Sequence, residues 1–546
     1  MLRVTDDGWF LSPPGGGRPL LAAAVERAEE VPALAAAGAG AGLVRRPAPP
    51  GVVEALEAAG LAVVAEGAAT DAAARGVDLW LAGDGVRPPG GALVAGPVLD
   101  PRTGACAGDV AAGAIPRDPR RAVAATIDLQ LAARRRPVLV RVDGEGDGVT
   151  ALERAADLGA AVLVVPGEGE ERLRAVARLA ERERRRLDEA PPLSVVVCVY
   201  NAAAYLDACL ASLAALEHPR YEVLVVDDGS TDGSLAIARR HGVEVVALRH
   251  AGVSAARNAG VAAARGEVVA FLDADEEATP WWPKLLWRGM EATGADAVSG
   301  PNLPYATDGL QARAVSALPG AAVPVVEPGG VAEHLTCCNL AARRELLREV
   351  PFDESRAAGE DVAFTFAARD RGARLYYLPT AAVHHHRRPT VAGYLRQQAS
   401  YGEALTEDLA GRFTAPARRR AGLLRRRHVF SGSDAAQLYA QTAYPVEAGL
   451  PLRLLLAAGA AGAAGCALAP AGARRRWCAG TLAAVGGVLA WVVASVPVFA
   501  PRPGLSGAWQ RVLTAVVWLL RPAARELGRR RAARGAPRDP VSRPHR

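Results

Sequence analysis

Two α/β units followed by a run of apolar helices is the architecture that this 546-residue chain predicts. Three observations predict it. Short apolar runs alternate with Ala-rich segments up to about residue 187, and β/α alternation implies parallel strands. The alternation restarts at residue 193, behind Pro191–Pro192, and there the apolar runs end in carboxylates, Asp227–Asp228 and Asp273-Ala274-Asp275. Near the carboxyl end the chain loses its charges over Leu454–Ala473 and Trp477–Ala500. The expected organisation is an α/β domain over 1–187, a second over 191–415 and a membrane-associated region over 416–546.

The first unit reads as strands at 61–65, 78–81, 92–95, 138–142 and 161–165, with helices at 20–37, 52–59, 120–134 and 150–159. No GxGxxG and no GxxxxGK[ST] occurs in it, and no chemistry is legible there. Asp143, Glu145 and Asp147 cluster at the ligand-facing end of such a sheet, where they also fit a solvated turn. Residues 168–189 carry Glu/Arg pairs at helical spacing and predict an exposed linker helix.

In the second unit, strands at 194–199, 222–227, 244–248 and 268–272 alternate with helices at 205–215, 234–241 and 255–264. Carboxylates at the carboxyl ends of parallel strands sit where open α/β sheets bind ligands. Two aspartates one residue apart can address one divalent cation, an arrangement that suits a nucleotide diphosphate.

Bulk composition narrows the partners. The net charge is +6, but the cations are nearly all Arg, Lys284 being the single Lys, and only 5% of residues are aromatic. With no RNA- or DNA-binding motif, this excludes nucleic acid as the expected partner. The seven cysteines (Cys106, Cys198, Cys209, Cys337, Cys338, Cys466, Cys478) are scattered without a CxxC spacing. That fits a reducing compartment and argues against a zinc site or a disulfide framework. Residues 1–17 lack an apolar core, so no cleaved signal peptide is expected.

Five segments taken in order, SVVVCVYNAAAYLDACLASL, EVLVVDDGSTDGS, SAARNAGVAAARGEVVAFLDADEE, AAGEDVAFTFAARDRGARLYYLP and AVHHH, resemble family 2 glycosyltransferases of the GT-A fold. The resemblance covers residues 193–405. It implies a nucleotide-sugar-binding Rossmann-like domain and inverting transfer of a sugar from a nucleotide-diphosphate donor, a UDP- or dTDP-sugar, to a hydroxyl. It places Val199 and Asn201 against the donor's base, with Asp227 accepting from the base N–H. Asp228 is left between ligand and turn, and Arg257 is given to phosphate or base. Asp273 belongs to the ribose or the metal shell, and Asp275 is the direct ligand of Mg²⁺ or Mn²⁺ with His384 joining it. His386 falls on the same side as His384 if the segment is extended. A run of three His also fits a basic loop. Asp361 resembles the family's general base with Glu360 supporting it, and the pair also suits a helix cap.

Around the core motifs, Cys337-Cys338-Asn339 precede an expected helix at 340–347 and line a pocket or the core. Trp281 and Trp282 suit core, membrane interface or sugar stacking. Residues 394–404 read either as a lid, with Arg396, Gln397 and Tyr401 over the diphosphate, or as a membrane-surface helix. The apolar runs 454–473 and 477–500 are long enough for transmembrane helices, residues 509–520 look interfacial, and an Arg-rich tail follows. Arg474–Arg476 between the two runs conflict with a simple positive-inside hairpin.

The expectation is therefore a membrane-bound enzyme with its catalytic domain in the cytoplasm, in contact with membrane lipid. Its acceptor is a glycan, a lipid-linked or another envelope glycoconjugate, or a small molecule. Two alternatives stand beside it. A nucleotidyltransferase of similar fold would open with a Gly-rich, Arg-containing loop, which CVYNAAAYL lacks. A non-catalytic scaffold for envelope assembly would have lost the acidic motifs, which are all present.

Overall fold

The computed structural model describes residues 3–4, 11–12, 20–45, 51–66, 79–81, 93–96, 98–100, 105–106, 110–133, 138–143, 148–303, 305, 309–316, 326, 328–356, 358–386, 389–404, 450–495 and 505–533. Two short strands, β1 (Arg3–Val4) and β2 (Leu11–Ser12), pair antiparallel ahead of the first unit. That unit is not an open sheet. Strands β3 (Leu20–Ala24), β4 (Ala41–Arg45), β5 (Ala62–Glu66), β6 (Leu79–Leu81), β7 (Leu93–Gly96), β10 (Val110–Pro116), β11 (Val138–Asp143) and β12 (Val162–Val165) close into a barrel. Every neighbouring pair in it is parallel. A small antiparallel pair, β8 (Val98–Asp100) and β9 (Ala105–Cys106), lies between β7 and β10 in the chain.

Alternation along β3 shows how the barrel is filled. Leu20 and Ala22 join Val64, Leu79, Leu139 and Val162 in one cluster. Leu21 and Ala23 face the helices with Val63, Val140 and Leu163. Both faces are thus buried, and a strand buried on both faces reads as a continuous apolar run. This corrects the expected helix over 20–37: Leu20–Ala24 is a strand, and only α1 (Val31–Ala37) is helical. Residues with high helix propensity were taken up by a barrel wall whose tertiary packing outweighs that propensity. The outer helices are α1, α2 (Val52–Ala58), α3 (Pro119–Ala133) and α4 (Val149–Asp157). β11 ends at Asp143, while Glu145 and Asp147 lie outside the described residues.

The expected exposed linker helix, α5 (Gly169–Asp188), is also corrected. It buries Arg172, Ala175, Val176, Leu179 and Glu183, spaced to share one face.

The second unit is built on a seven-stranded sheet in the order β15-β14-β13-β16-β20-β18-β21. β13 (Leu193–Val199) lies between β14 (Tyr221–Asp227) and β16 (Val268–Asp273), all parallel, with β15 (Glu244–Ala247) beside β14. The chain moves one way from β13 to β15 and then returns to β13's other side as β16. The carboxyl ends Val199, Asp227 and Asp273 therefore line the crevice at a switch point, where open α/β sheets take ligands. Beyond β16 the sheet becomes antiparallel through β20 (Asn339–Arg343) and β18 (Ala297–Ser299), and β21 (Leu375–Tyr377) runs parallel to β18. The helix expected at 340–347 is in fact strand β20 followed by α11 (Arg344–Glu349). A second sheet, β17 (Glu276–Ala278), β22 (Val383–His385) and β19 (Asn302–Leu303), stands beside the aspartates. The sheet helices are α6 (Leu206–Ala214), α7 (Ser234–Arg240), α8 (Val253–Ala263), α9 (Trp282–Thr293), α10 (Leu310–Ser316) and α12 (Glu360–Asp370).

The carboxyl-terminal region corrects the expected membrane crossing. Helices α14 (Leu450–Leu468) and α15 (Ala471–Ser495) form a hairpin, and α16 (Leu505–Ala533) packs on α13 (Val391–Ala404). Among the described residues no helix is long and apolar enough to cross a membrane. Arg453 falls in the first turn of α14, and Arg474–Arg476 are built into α15 rather than left in a loop between two spans. What remains of each helix is rich in Ala and Gly. Residues 405–449 and the tail after 533 lie outside the described residues.

Candidate active site

The site is built at the carboxyl ends of β13, β14 and β16. After Val199 the backbone turns through Asn201, which has φ +51, a left-handed conformation that Asn tolerates better than most residues. Its side chain is spent on that turn: Asn201 Oδ1 accepts from Thr231 N at 2.7 Å, and its own N–H donates to Ser230 Oγ at 3.0 Å. Asp227 is buried and accepts a long bond from Ser230 N, 3.3 Å. Asp228 is fully engaged by the chain. Its oxygens accept from Ala251 N (2.7 Å) and Gly252 N (3.0 Å), and His250 Nδ1 stands 2.8 Å away. Asp228 thereby ties the end of β14 to the segment that opens α8. His250 in turn stacks on Tyr200, ring centroids 4.2 Å apart.

Arg257 is buried on α8 and joins the two halves of the site. Its Nη1 donates to Glu360 Oε1 at 2.5 Å, and Nη2 lies 3.8 Å from Asp273 Oδ1. The neighbouring Asn258 binds the segment ahead of Glu360, accepting from Phe352 N at 2.9 Å and donating to Phe352 O at 2.9 Å. One turn of one helix thus brings residues far apart in sequence to the same place. Gly359, at φ +76, lets the chain turn sharply into α12 and sets Glu360 and Asp361 in its first turn. Asp361 Oδ1 accepts from its neighbour Val362 N at 2.8 Å. Burial pushes the Asp361 carboxyl up to about 7, the charge of Glu360 adds to the rise, and Arg257 opposes it. Burial likewise raises Asp273; Asp275 and Glu360 add to that while Arg257 and His385 counter it.

The second sheet decides which histidine faces the aspartates. Antiparallel pairing sets Glu276 opposite His385 and Glu277 opposite His384. His385 Nε2 lies 3.4 Å from Asp275 Oδ1, and its Nδ1 lies 3.2 Å from Glu276 Oε1. His384 and His386 share the other side, as extended chain requires, and both meet the Tyr305 ring, at 5.4 and 4.0 Å. The histidine placed on Asp275 is therefore His385, not His384. Among the described residues no three His, Cys, Asp or Glu side chains gather around one point as a metal cage. The donors Asp275 Oδ1 and His385 Nε2 nevertheless fit two adjacent positions on one hard cation. Metal–ligand bonds of about 2.1 Å put neighbouring octahedral ligands about 3 Å apart, and phosphate oxygens and water customarily fill the rest.

Three residues of the site had no role assigned from sequence: Glu276, His385 and His250; Asn339, expected to line a pocket or the core, takes a more specific place. Asn339 is buried and ties three segments together, accepting from Trp282 Nε1 at 2.8 Å and donating to Ala381 O (2.8 Å) and Pro301 O (3.2 Å). Trp282 is thereby a core residue. The strand alternation starting at buried Val383 was the one sequence signal that pointed to His385. The expected lid residues Arg396, Gln397 and Tyr401 lie on α13, whose buried Gln398 accepts from Arg521 Nε (3.2 Å) and Arg525 Nε (2.9 Å) of α16.

Residues 194–350 match the model of Glycosyl transferase family 2. Glycosyltransferase AglE of Haloferax volcanii is 30% identical over 210 residues, 36% of this chain and 68% of the relative. The pre-mycofactocin glycosyltransferase of Mycobacterium tuberculosis is 30% identical over 225 residues, 38% of this chain and 46% of the relative. The chain spans 31% of a third relative, the cholesterol galactosyltransferase of Borreliella burgdorferi. Among solved structures, a mannosyltransferase from Pyrobaculum calidifontis in complex with GDP-Man and Mn²⁺ aligns at TM-score 0.39 and 20% identity, over 65% of this chain and 93% of that one.

Proposed function

The chain belongs to glycosyl transferase family 2, and from that membership we propose an inverting, cation-assisted transfer in which Asp361 is the base. The single observation that carries this reading is the cluster in which Arg257 ties Glu360, beside Asp361 in the first turn of α12, to the strand-end Asp273; within it the Asp361 carboxyl is pushed up to about 7. A general base works best when its affinity for a proton lies near the working pH.

The donor is a nucleoside-diphosphate sugar with its base against Val199 and Asp227 and its diphosphate near Arg257, Asp273 and Asp275. Asp275 and His385 would hold a divalent cation, which neutralises charge on the diphosphate when bound. Asp361 accepts the proton of the acceptor hydroxyl as that oxygen attacks the anomeric carbon from the face opposite the diphosphate. The bond from that carbon to the phosphate oxygen breaks, and the electron pair leaves with the nucleoside diphosphate. Glu360, held by Arg257, keeps α12's first turn aimed at the acceptor side.

The acceptor reading is a hydroxyl on a cell-envelope glycan or glycoconjugate, reached at a membrane surface. The support is an exposed apolar stripe on α16, Trp509, Val512, Val516, Leu520 and Leu527, with Arg530 and Arg531 exposed at its end. A helix of this kind lies along an anionic lipid surface rather than across it.

The test is transfer and donor hydrolysis across a panel of nucleotide sugars with Mg²⁺ or Mn²⁺. Asp361→Asn is expected to lower kcat by about 10²–10⁴ with little change in donor KM. Asp275→Ala is expected to abolish the response to added cation. Wild-type rates in both purified variants would sink the assignment.

A further inference from the structure

Among the described residues, the barrel unit meets the catalytic unit through buried polar contacts at two places, besides a part-buried bond from Gly329 N to Asp128 Oδ1 at 2.7 Å. The first is the end of α4. The Leu158 carbonyl accepts from Gln130 Nε2 at 2.7 Å and from Thr380 Oγ1 at 2.8 Å, and both donors are buried. Gly159, with φ +81, comes next; a Cβ there would stand 2.9 Å from Thr380 Oγ1 and 3.0 Å from Leu285. Thr380 opens the turn into β22: Ala382 N donates to Thr380 O at 2.9 Å, and Val383 N donates to Pro301 O at 3.0 Å.

The second place is α5. Buried Glu183 accepts from Arg288 Nη1 on both oxygens, at 2.9 and 2.8 Å, with Lys284 Nζ 3.7 Å away. Arg288 and Lys284 lie on α9, the helix that β17 runs into. Strands β17 and β22 are the antiparallel pair that sets Glu276 opposite His385. β22 is therefore held by the barrel unit just ahead of its first residue, through Thr380, and β17 through the helix α9 that follows it.

We propose that the barrel unit is a positioning element for the catalytic site, with Thr380 and Glu183 holding β22 and β17 so that His385 stays against Asp275. The proposal rests on the reading that Asp275 and His385 hold a divalent cation. A metal-binding imidazole must be fixed in place by groups behind it, and losing such support weakens metal affinity without removing a ligand. A rigid supporting shell is what keeps a site within its working geometry. Thr380 is a positioning residue: its hydroxyl is spent on Leu158 O, and it acts through the backbone that carries His385.

The experiment uses the full chain and three variants: Thr380→Val, Thr380→Ser and Gly159→Ala. Mn²⁺ is titrated by the loss of its free-ion EPR signal, with and without UDP, and amide exchange is followed in the peptide spanning 380–386. Thr380→Val and Gly159→Ala are expected to raise the half-saturating Mn²⁺ by about threefold to tenfold. They are also expected to speed exchange in that peptide and to leave kcat at saturating Mn²⁺ near wild type. Thr380→Ser, which keeps the hydroxyl, is expected to restore both readouts. Unchanged Mn²⁺ titration and unchanged exchange in both Thr380→Val and Gly159→Ala would overturn the proposal, as would a lower melting temperature as their sole effect. A wild-type chain that binds no Mn²⁺ refutes the cation reading itself, and the exchange data then decide the positioning claim alone.

Discussion

Arg257 shows how much a single residue organises. One buried guanidinium stands between Glu360, from α12, and Asp273, from β16, and so limits the repulsion among carboxylates that would otherwise crowd one crevice. Its influence reaches Asp361, which burial and Glu360 raise to about 7 and Arg257 restrains. A base must be deprotonated to act. The rate is therefore expected to fall about tenfold per pH unit below that value and to level off above it. Measured as kcat/KM against pH, Arg257→Leu is expected to move this acid limb to higher pH, because the charge that favoured the carboxylate is gone. A limb that stays put would separate Arg257 from Asp361. His385 carries the complementary lesson. Three adjacent histidines are indistinguishable as letters, and the pairing of β22 with β17 turns the middle one toward Asp275.

At the scale of elements, the same residues mean different things in different surroundings. Leu20–Ala24 has the composition of a helix and is a barrel strand because both of its faces are covered. Helix α5 reads as solvated from its Glu/Arg pairs, yet Glu183 on its buried face is held below the usual carboxylate range. Burial works against that, and Arg288 and Lys284 outweigh it. Deleting one partner of a buried ion cluster strands the others. Glu183→Gln is therefore expected to cost about 3 kcal/mol in denaturant unfolding. A loss below about 1 kcal/mol would put the cluster in the class of surface pairs. Strand β20 makes the same point for the catalytic unit. A segment with helical composition becomes the strand that runs antiparallel to both its neighbours and presents Asn339 to three other segments.

At the scale of the molecule, the barrel packs on the catalytic unit at Thr380 and α9, and α16 packs on α13 and α10. The exposed stripe of α16 and its terminal arginines predict binding to vesicles that contain phosphatidylglycerol, weakened by salt and absent with neutral vesicles. Co-sedimentation of wild type and of Trp509→Glu/Val516→Glu measures it. Equal recovery of both with anionic vesicles would remove the surface-docking reading.

The amino-acid sequence by itself determined the four strands and three helices of the catalytic core, the strand-end aspartates and the Glu360–Asp361 pair. These are local: an apolar run of period two or a carboxylate behind it is read within a few residues. Tertiary structure alone decided the rest. Closure of the first unit into a barrel depends on β3 meeting β12, far apart in sequence. The assignment of His385 depends on a register set across two strands. The hydrogen bonds of Asp228 depend on a loop that arrives later in the chain. The union of Arg257 with Glu360 depends on two helices packing. Each of these is a contact between distant segments, whose energy comes from burial that no local pattern records.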